Sequence, residues 1–460
     1  MEKTLSALLW GLAKDIVEKV AECRATDRLV RTRALYVKNE VTGFTYDYDK
    51  RSTSYKESFV NIQKVEWDWR DQFGFIEEEV KNIPEYSACV TEISKRCQVF
   101  DRQADFWVTR FVQFVVGKIA AGDTGEESLV DQIAVFLADL DGSPVDWKYE
   151  VWLDGIWLED EQYEIEDGMV LRRPNPSDIE TETRFELWPV QSPTSPGIHP
   201  WHIPSAILES MCRGSDNREI QREIKAILDT FCLFRLGSVV ARETIMSARS
   251  ILRAGTMHSP SWDIPAIYKY GLAVADVDSL QTFLRKMKPL LFLDSSVEAS
   301  TERISPLSIA LERYKDALLQ RVPIESRITS AITCFEALYL KRQERMELSH
   351  RLSQRVSALL RLLGLIPLKA YNELSRAYEI RSIFIHGSQI DRDRQSSAIQ
   401  LCKTIMDYAR ISLIAFIQLQ DSMDKEALIN KLDNSLLDEN ALDKVRQLFS
   451  DDLLIPGLSC

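Results

Sequence analysis

Histidine is scarce in this chain. Five in 460 residues leave few candidates for proton transfer near neutral pH, and His199, His202, His258, His350 and His386 can be judged one at a time. Eight cysteines are present, but none form a Cys-x-x-Cys pair, and their spacing suits neither a disulfide framework nor a zinc site. Apolar runs are short. None approaches the ~20 residues of a membrane span, and the nearest, Ile411 to Leu419, is interrupted by Ser412 and Gln418. There is no internal repeat and no low-complexity tract. The opening residues, MEKTLSALLWGLAKDIVEKV, set Lys14, Asp15, Glu18 and Lys19 behind a weak apolar patch. They read as an amphipathic helix, not an export signal. The expectation is a cytoplasmic chain with reduced thiols and no membrane partner.

Composition is otherwise that of a folded protein, 45% hydrophobic and 28% charged. The length predicts two or three domains. A net charge of -13 argues against a nucleic-acid partner, but the charge is unevenly spread. Residues 306–420 carry 17 Lys/Arg against 11 Asp/Glu, a local surplus of six. A basic segment inside an acidic chain is compatible with a polyanion site and equally with a solvated helical face.

Residues 1–145 read as a mainly helical region, with helices over 3–24, 72–96, 102–121 and 126–139 and an extended stretch near 33–66. Trp67, Trp69 and Trp107 fit packing better than ligand binding. Gly122 to Gly125 lacks the Lys-Ser/Thr of a phosphate loop. Residues 146–305 read as an α+β unit. Asp154-Gly155 and Asp167-Gly168 each separate short alternating runs, which predicts hairpins, and RFELWPV adds a strand to a small antiparallel meander. The Pro-rich stretch QSPTSPGIHPWHIP is a linker. Helices are expected at 204–213 and 216–230, then strands at 231–245 and 267–274 and another helix at DSLQTFLRKMKPLL. His199 and His202 stand three apart with no further ligand nearby, and His258 stands alone, so neither makes a metal site.

From Pro306 the period is helical throughout. Leu307, Leu311, Tyr314 and Leu318 form one stripe, and Ile328, Ile332, Phe335 and Tyr339 form another. An all-α bundle over 306–425 and an acidic tail over 426–460 follow. The fold class is thus α+β multidomain and predominantly α. All ten tryptophans precede residue 263, which marks the bundle as a different unit.

The segment Tyr378 to Gly387, YEIRSIFIHG, carries the chemistry. On a helix Arg381 shares a stripe with Tyr378 and Ile385. An arginine there is costly unless it is paired or faces a cleft or interface; Glu336 and Glu379 are candidate partners. His386 precedes Gly387, a typical helix end where the dipole favours positive charge. It is either a cap or a proton-transfer group.

Residues 306–420 resemble the HEPN family (higher eukaryotes and prokaryotes nucleotide-binding), in particular its Apea-like branch. The likeness rests on Arg381, Ser382 and His386 as the family's Arg-x4–6-His motif with a polar residue after the arginine. It extends to LSIALERYKDALLQ, ESRITSAITCFEALYL and HRLSQRVSALL as helices of the family's bundle. A looser likeness joins DGIWLEDEQYEIEDGMVLRRPNPSDIE and LFRLGSVVARETI to the sheet region that often precedes this domain in bacterial defence proteins.

The resemblance implies a metal-independent endoribonuclease, of the abortive-infection type that acts against phage, with no cofactor. Its implied site is Arg381 and His386 as catalytic groups, supported by Ser382 and Glu379. Arg351 and Arg355 are implied RNA-phosphate contacts, or else ordinary surface or core-edge residues. It also implies a homodimer through the bundle, because residues five apart on a helix lie about 140° apart in azimuth and do not converge. Ile383, Phe384 and Ile385 would supply part of that contact, and the upstream domains would meet a phage-derived trigger. The other reading is a non-catalytic RNA- or nucleotide-binding or dimerisation module.

Overall fold

A computed structural model describes the chain except residues 1–3, 27, 30–31, 69–72, 97–103, 121–124, 188–202, 215–216, 253–256, 259–267, 297–304, 389–394 and 458–460. His199, His202, Trp69 and most of the Pro-rich linker and of the 122–125 loop lie outside the described residues. The described part is an α+β arrangement dominated by helix.

Five helices build a first core: α1 (Leu5–Ala25), α2 (Phe73–Lys81), α3 (Pro84–Arg96), α4 (Ala104–Ala120) and α5 (Glu126–Leu140). α1 buries Leu5, Leu9, Leu12, Ile16 and Val20 at helical spacing. Thr4 caps it by accepting from the Ala7 N–H. Val80, Ile93, Phe111, Val115 and Phe136 complete this core. Between α1 and α2 run β1 (Thr32–Thr42), the small hairpin β2 (Thr45–Asp47) and β3 (Ser52–Ser54), and β4 (Glu57–Asp68). β1 pairs antiparallel with β4 on one side and with β9 (Thr181–Leu187) on the other. The strand in RFELWPV therefore joins the first unit's sheet and not the meander.

The second sheet has the order β12 (Met257–His258), β11 (Val240–Ala248), β5 (Val145–Asp154), β10 (Ala206–Gly214), β8 (Met169–Arg172), β7 (Gln162–Glu166). Trp147, Tyr149, Val151 and Leu153 form the buried face of β5. Asp167-Gly168 closes the β7–β8 hairpin with Gly168 at φ +70°. Asp154-Gly155 does not close one. Both edges of β5 are taken by β10 and β11, so β6 (Ile156–Leu158) leaves the sheet and pairs in parallel with β13 (Tyr270–Leu272). A Cβ at Gly155 would sit 2.2 Å from the Ser238 carbonyl oxygen; the glycine admits a neighbouring chain segment. Two other expectations fail. Residues 204–213, rich in helix formers, supply all but the last residue of β10, because β5 and β8 pair with it on both sides. Residues 231–234 end a helix, α7 (Asn217–Phe234), and do not begin a strand.

After the short α6 (Pro176–Ile179), α7 and α8 (Val277–Ser296) cover the sheet with Ile224, Ile227, Phe231, Leu284 and Met287. The bundle follows as α9 (Pro306–Leu319), α10 (Ile324–Tyr339), α11 (Leu348–Leu362), α12 (Pro367–Ile385) and α13 (Gln395–Leu419). Sheet layer and bundle share one continuous core. Polar bonds stitch the seam. Arg410 of α13, itself buried, donates to the Leu233 carbonyl at 3.0 Å, Tyr314 to Cys232 at 3.0 Å, and Ser238 to Leu318 at 3.0 Å.

Residues 426–460 are not a tail in structure. They carry most of α14 (Lys425–Ser435) and all of α15 (Glu439–Asp452), whose Leu428, Leu432, Val445 and Phe449 enter the core. Their acidic residues sit on helices whose opposite faces are apolar, which net charge alone conceals. Among the described residues no helix is long and apolar enough to cross a membrane.

Candidate site at the end of α12

α12 begins with Pro367 at a first-turn position, where its missing N–H is harmless. Ala370, Leu374 and Ala377 are buried along it, which sets the face it turns to its neighbours. One turn beyond Leu374, Tyr378 and Arg381 both meet Glu336 of α10. The Tyr378 hydroxyl donates to Glu336 Oε1 at 3.2 Å, and Arg381 Nη2 donates to Oε2 at 3.0 Å. The guanidinium also lies over the Tyr378 ring, 5.2 Å from its centroid. Burial, and then the Glu336 charge, push the Tyr378 phenol above its ordinary range. Of the two carboxylates that could partner Arg381, the structure chooses Glu336; Glu379 is exposed and makes no such pair. Arg381 remains 22% exposed, and its Nε is buried without a hydrogen-bond partner among the described residues.

The helix then stops. The Gly387 N–H bonds to the Phe384 carbonyl at 3.0 Å and the Ser388 N–H to Ile383 at 3.1 Å, with Gly387 at φ +81°. This is a Schellman end, and it fixes His386 as the cap residue. The His386 imidazole is exposed and has no hydrogen-bond partner among the described residues. Ser382, Ile383 and Ile385 are exposed beside it. Arg381 and His386 thus end the same helix but face differently. The arginine turns to α10 and the histidine to solvent, and no bond joins them.

Arg351 and Arg355 of α11 differ from each other. Arg351 is 43% exposed and reaches Glu344 through Nη1 at 3.2 Å. Arg355 is buried. It uses all five N–H donors on Glu344 Oε1 and Oε2, Asp433 Oδ1 and Oδ2, and the Tyr339 carbonyl, at 2.7–2.9 Å. The Arg355 hydrogen bond, more than any other influence, holds the Glu344 carboxyl down to about 2. Arg355 has nothing left for a phosphate, which corrects that expectation: it is a structural clamp between α10, α11 and α14. A further contact had no sequence signal. His350 Nδ1 and the Tyr371 hydroxyl lie 2.8 Å apart on α11 and α12, because residues 21 apart meet across the helix pair. Among the described residues no group of three or more His, Cys, Asp or Glu is placed to hold a metal ion.

Compared with protein-family models, curated proteins and solved structures, the chain finds no match.

Proposed function

We propose that this chain is a metal-independent endoribonuclease of the HEPN type, working as a homodimer in bacterial defence against phage by abortive infection. One observation carries the reading. The backbone of His386 is fixed in a helix cap with its imidazole exposed and without a hydrogen-bond partner among the described residues, five residues after an arginine that is partly exposed.

RNA supplies its own nucleophile. His386 takes the proton of a 2′-hydroxyl, whose oxygen attacks the adjacent phosphorus, and the P–O5′ bond breaks with the leaving oxygen taking a proton from water. Arg381 places permanent positive charge beside the non-bridging oxygens as charge builds there. The products are a 2′,3′-cyclic phosphate and a 5′-hydroxyl. The two groups face apart on one helix, so a second copy supplies the complement across a two-fold axis. Exposed Ile383 and Ile385 offer that contact apolar surface. The upstream units would then receive the trigger.

A second reading has its own support. Glu336 already partners Arg381, as in a non-catalytic RNA-binding or dimerisation module. Incubation of the purified chain with total RNA and chelator separates the two. Cleavage with cyclic-phosphate ends, falling about 10²–10⁴-fold in His386→Ala with fold and dimer kept, is the expected result. RNA bound tightly but left intact favours the module. Undiminished cleavage by His386→Ala overturns the assigned chemistry.

A further inference from the structure

Lysine ammonium groups ordinarily stay in water, and Lys431 of α14 and Lys444 of α15 are exposed. Lys425, the first residue of α14, turns its amine to a neighbouring helix instead. Its Nζ donates to the Ala337 carbonyl of α10 at 2.6 Å. That carbonyl is among the last four of its helix, which have no partner within it. Leu338, the next residue, and Lys425 both line a cavity of about 250 Å³ where α9, α10, α13 and α14 meet, a little below the usual size of small-molecule sites. Leu307, Phe416 and Met423 add apolar wall, and Ser305, Gln420 and Asp424 supply the polar part. The Asp424 carboxylate is engaged by the Ala427 N–H at 2.7 Å. Burial is the largest influence on the Lys425 amine and lowers it from its ordinary range; Glu426 and Glu344 raise it less, and Arg355 lowers it further. A carbonyl can hold this amine in either protonation state, because a neutral amine keeps an N–H to donate and leaves its lone pair free.

We propose that this cavity takes a small aldehyde with an apolar body, and that the Lys425 amine condenses with it to an imine. The neutral amine is the nucleophile, and desolvation in an apolar pocket raises its share near neutral pH. The nitrogen attacks the carbonyl carbon, and one N–H proton passes to the oxygen to give a carbinolamine. The hydroxyl then leaves as water with the second N–H proton, and the C=N bond remains. The step is reversible and needs no oxidant or reductant. An anion drawn to Lys425 would also meet the charges of Asp424 and Glu426, whereas an aldehyde brings none.

Reductive trapping on the full chain tests this. The protein is treated at pH 7 with 4-ethylbenzaldehyde and sodium cyanoborohydride, and peptide mass spectrometry follows the alkylation of each lysine. Lys425 should be labelled at least about tenfold faster than Lys431 and Lys444. The preference should narrow at pH 10, where the exposed amines also lose their protons. Glyceraldehyde, which has no apolar body, should show a smaller preference. Met423→Trp narrows the cavity with the amine untouched and should bring Lys425 toward the rate of the exposed lysines. Labelling of Lys425 no faster than of Lys431 and Lys444, or an equal preference with glyceraldehyde, overturns the proposal on the wild-type chain alone. A preference undiminished in Met423→Trp overturns it as well. No RNA is cleaved in these measurements, so their outcome is separate from that of the nuclease reading.

Discussion

Arg355 and Arg381 sit on neighbouring helices of one bundle and have opposite circumstances. Arg355 spends every donor on two carboxylates and a carbonyl, and its side chain is 3% exposed. Among the described residues Arg381 meets one carboxylate and one ring, and its buried Nε is left unmet. The first shows what this fold does with an arginine whose task is to hold helices together. Measured against it, Arg381 is under-used. A buried donor without a partner costs stability, and only the partly exposed remainder of the guanidinium, near the exposed helix end, is open to an anion.

The largest expected effect is on stability. Arg355→Met leaves Glu344 and Asp433 only the more exposed Arg351 and Lys341 as cations, and should cost about 3–5 kcal/mol. Arg381→Met strands only Glu336, which is partly solvated, and should cost about 1–2 kcal/mol. Urea unfolding of both variants checks the order. Equal losses would make Arg381 a second clamp and erase the contrast on which its assigned chemistry rests.

Acid sharpens the same contrast. Glu344 is held at about 2 by Arg355, against an ordinary 4.5. A carboxyl depressed on folding contributes stability that is fully present above pH 4.5 and lost as pH falls toward 2. Allowing for solvent screening, the contribution is on the order of 1–2 kcal/mol. Glu344→Gln should therefore be less stable than the wild type at pH 6, and the gap should narrow by pH 3. A gap of constant size would mean that the Arg355 clamp does not titrate through Glu344.

The sequence disclosed local features well and distant partners poorly. The stop of α12 was legible, because a glycine after an apolar run needs only positive φ to end a helix. The Asp167-Gly168 hairpin was legible for the same reason. The clamp was not. Arg351 and Arg355, four apart on α11, look like a basic stripe, but Glu344 and Asp433 lie 11 and 78 residues from Arg355. No local pattern announces that closure. β10 was misread because AILESM favours helix locally, whereas β5 and β8 decide its state from outside. Asp154-Gly155 misled in the other direction. Its signal was local, but the space β5 would need for a hairpin partner was already filled.

The smallest effect isolates the helix end itself. Gly364 and Gly387 both follow Schellman-type ends, at φ +82° and +81°, and a Cβ on either would meet no atom within 4 Å. Alanine at either site therefore introduces the same backbone strain and no clash, about 1 kcal/mol in unfolding free energy. The two ends differ in what they aim: Gly364 follows α11 at Leu363, whereas Gly387 fixes His386. If the imidazole acts from its cap, Gly387→Ala should lower RNA cleavage well beyond Gly364→Ala at matched stability, because a loosened cap disperses the proton acceptor. Equal cleavage by the two variants would place the working histidine, or the working site, elsewhere.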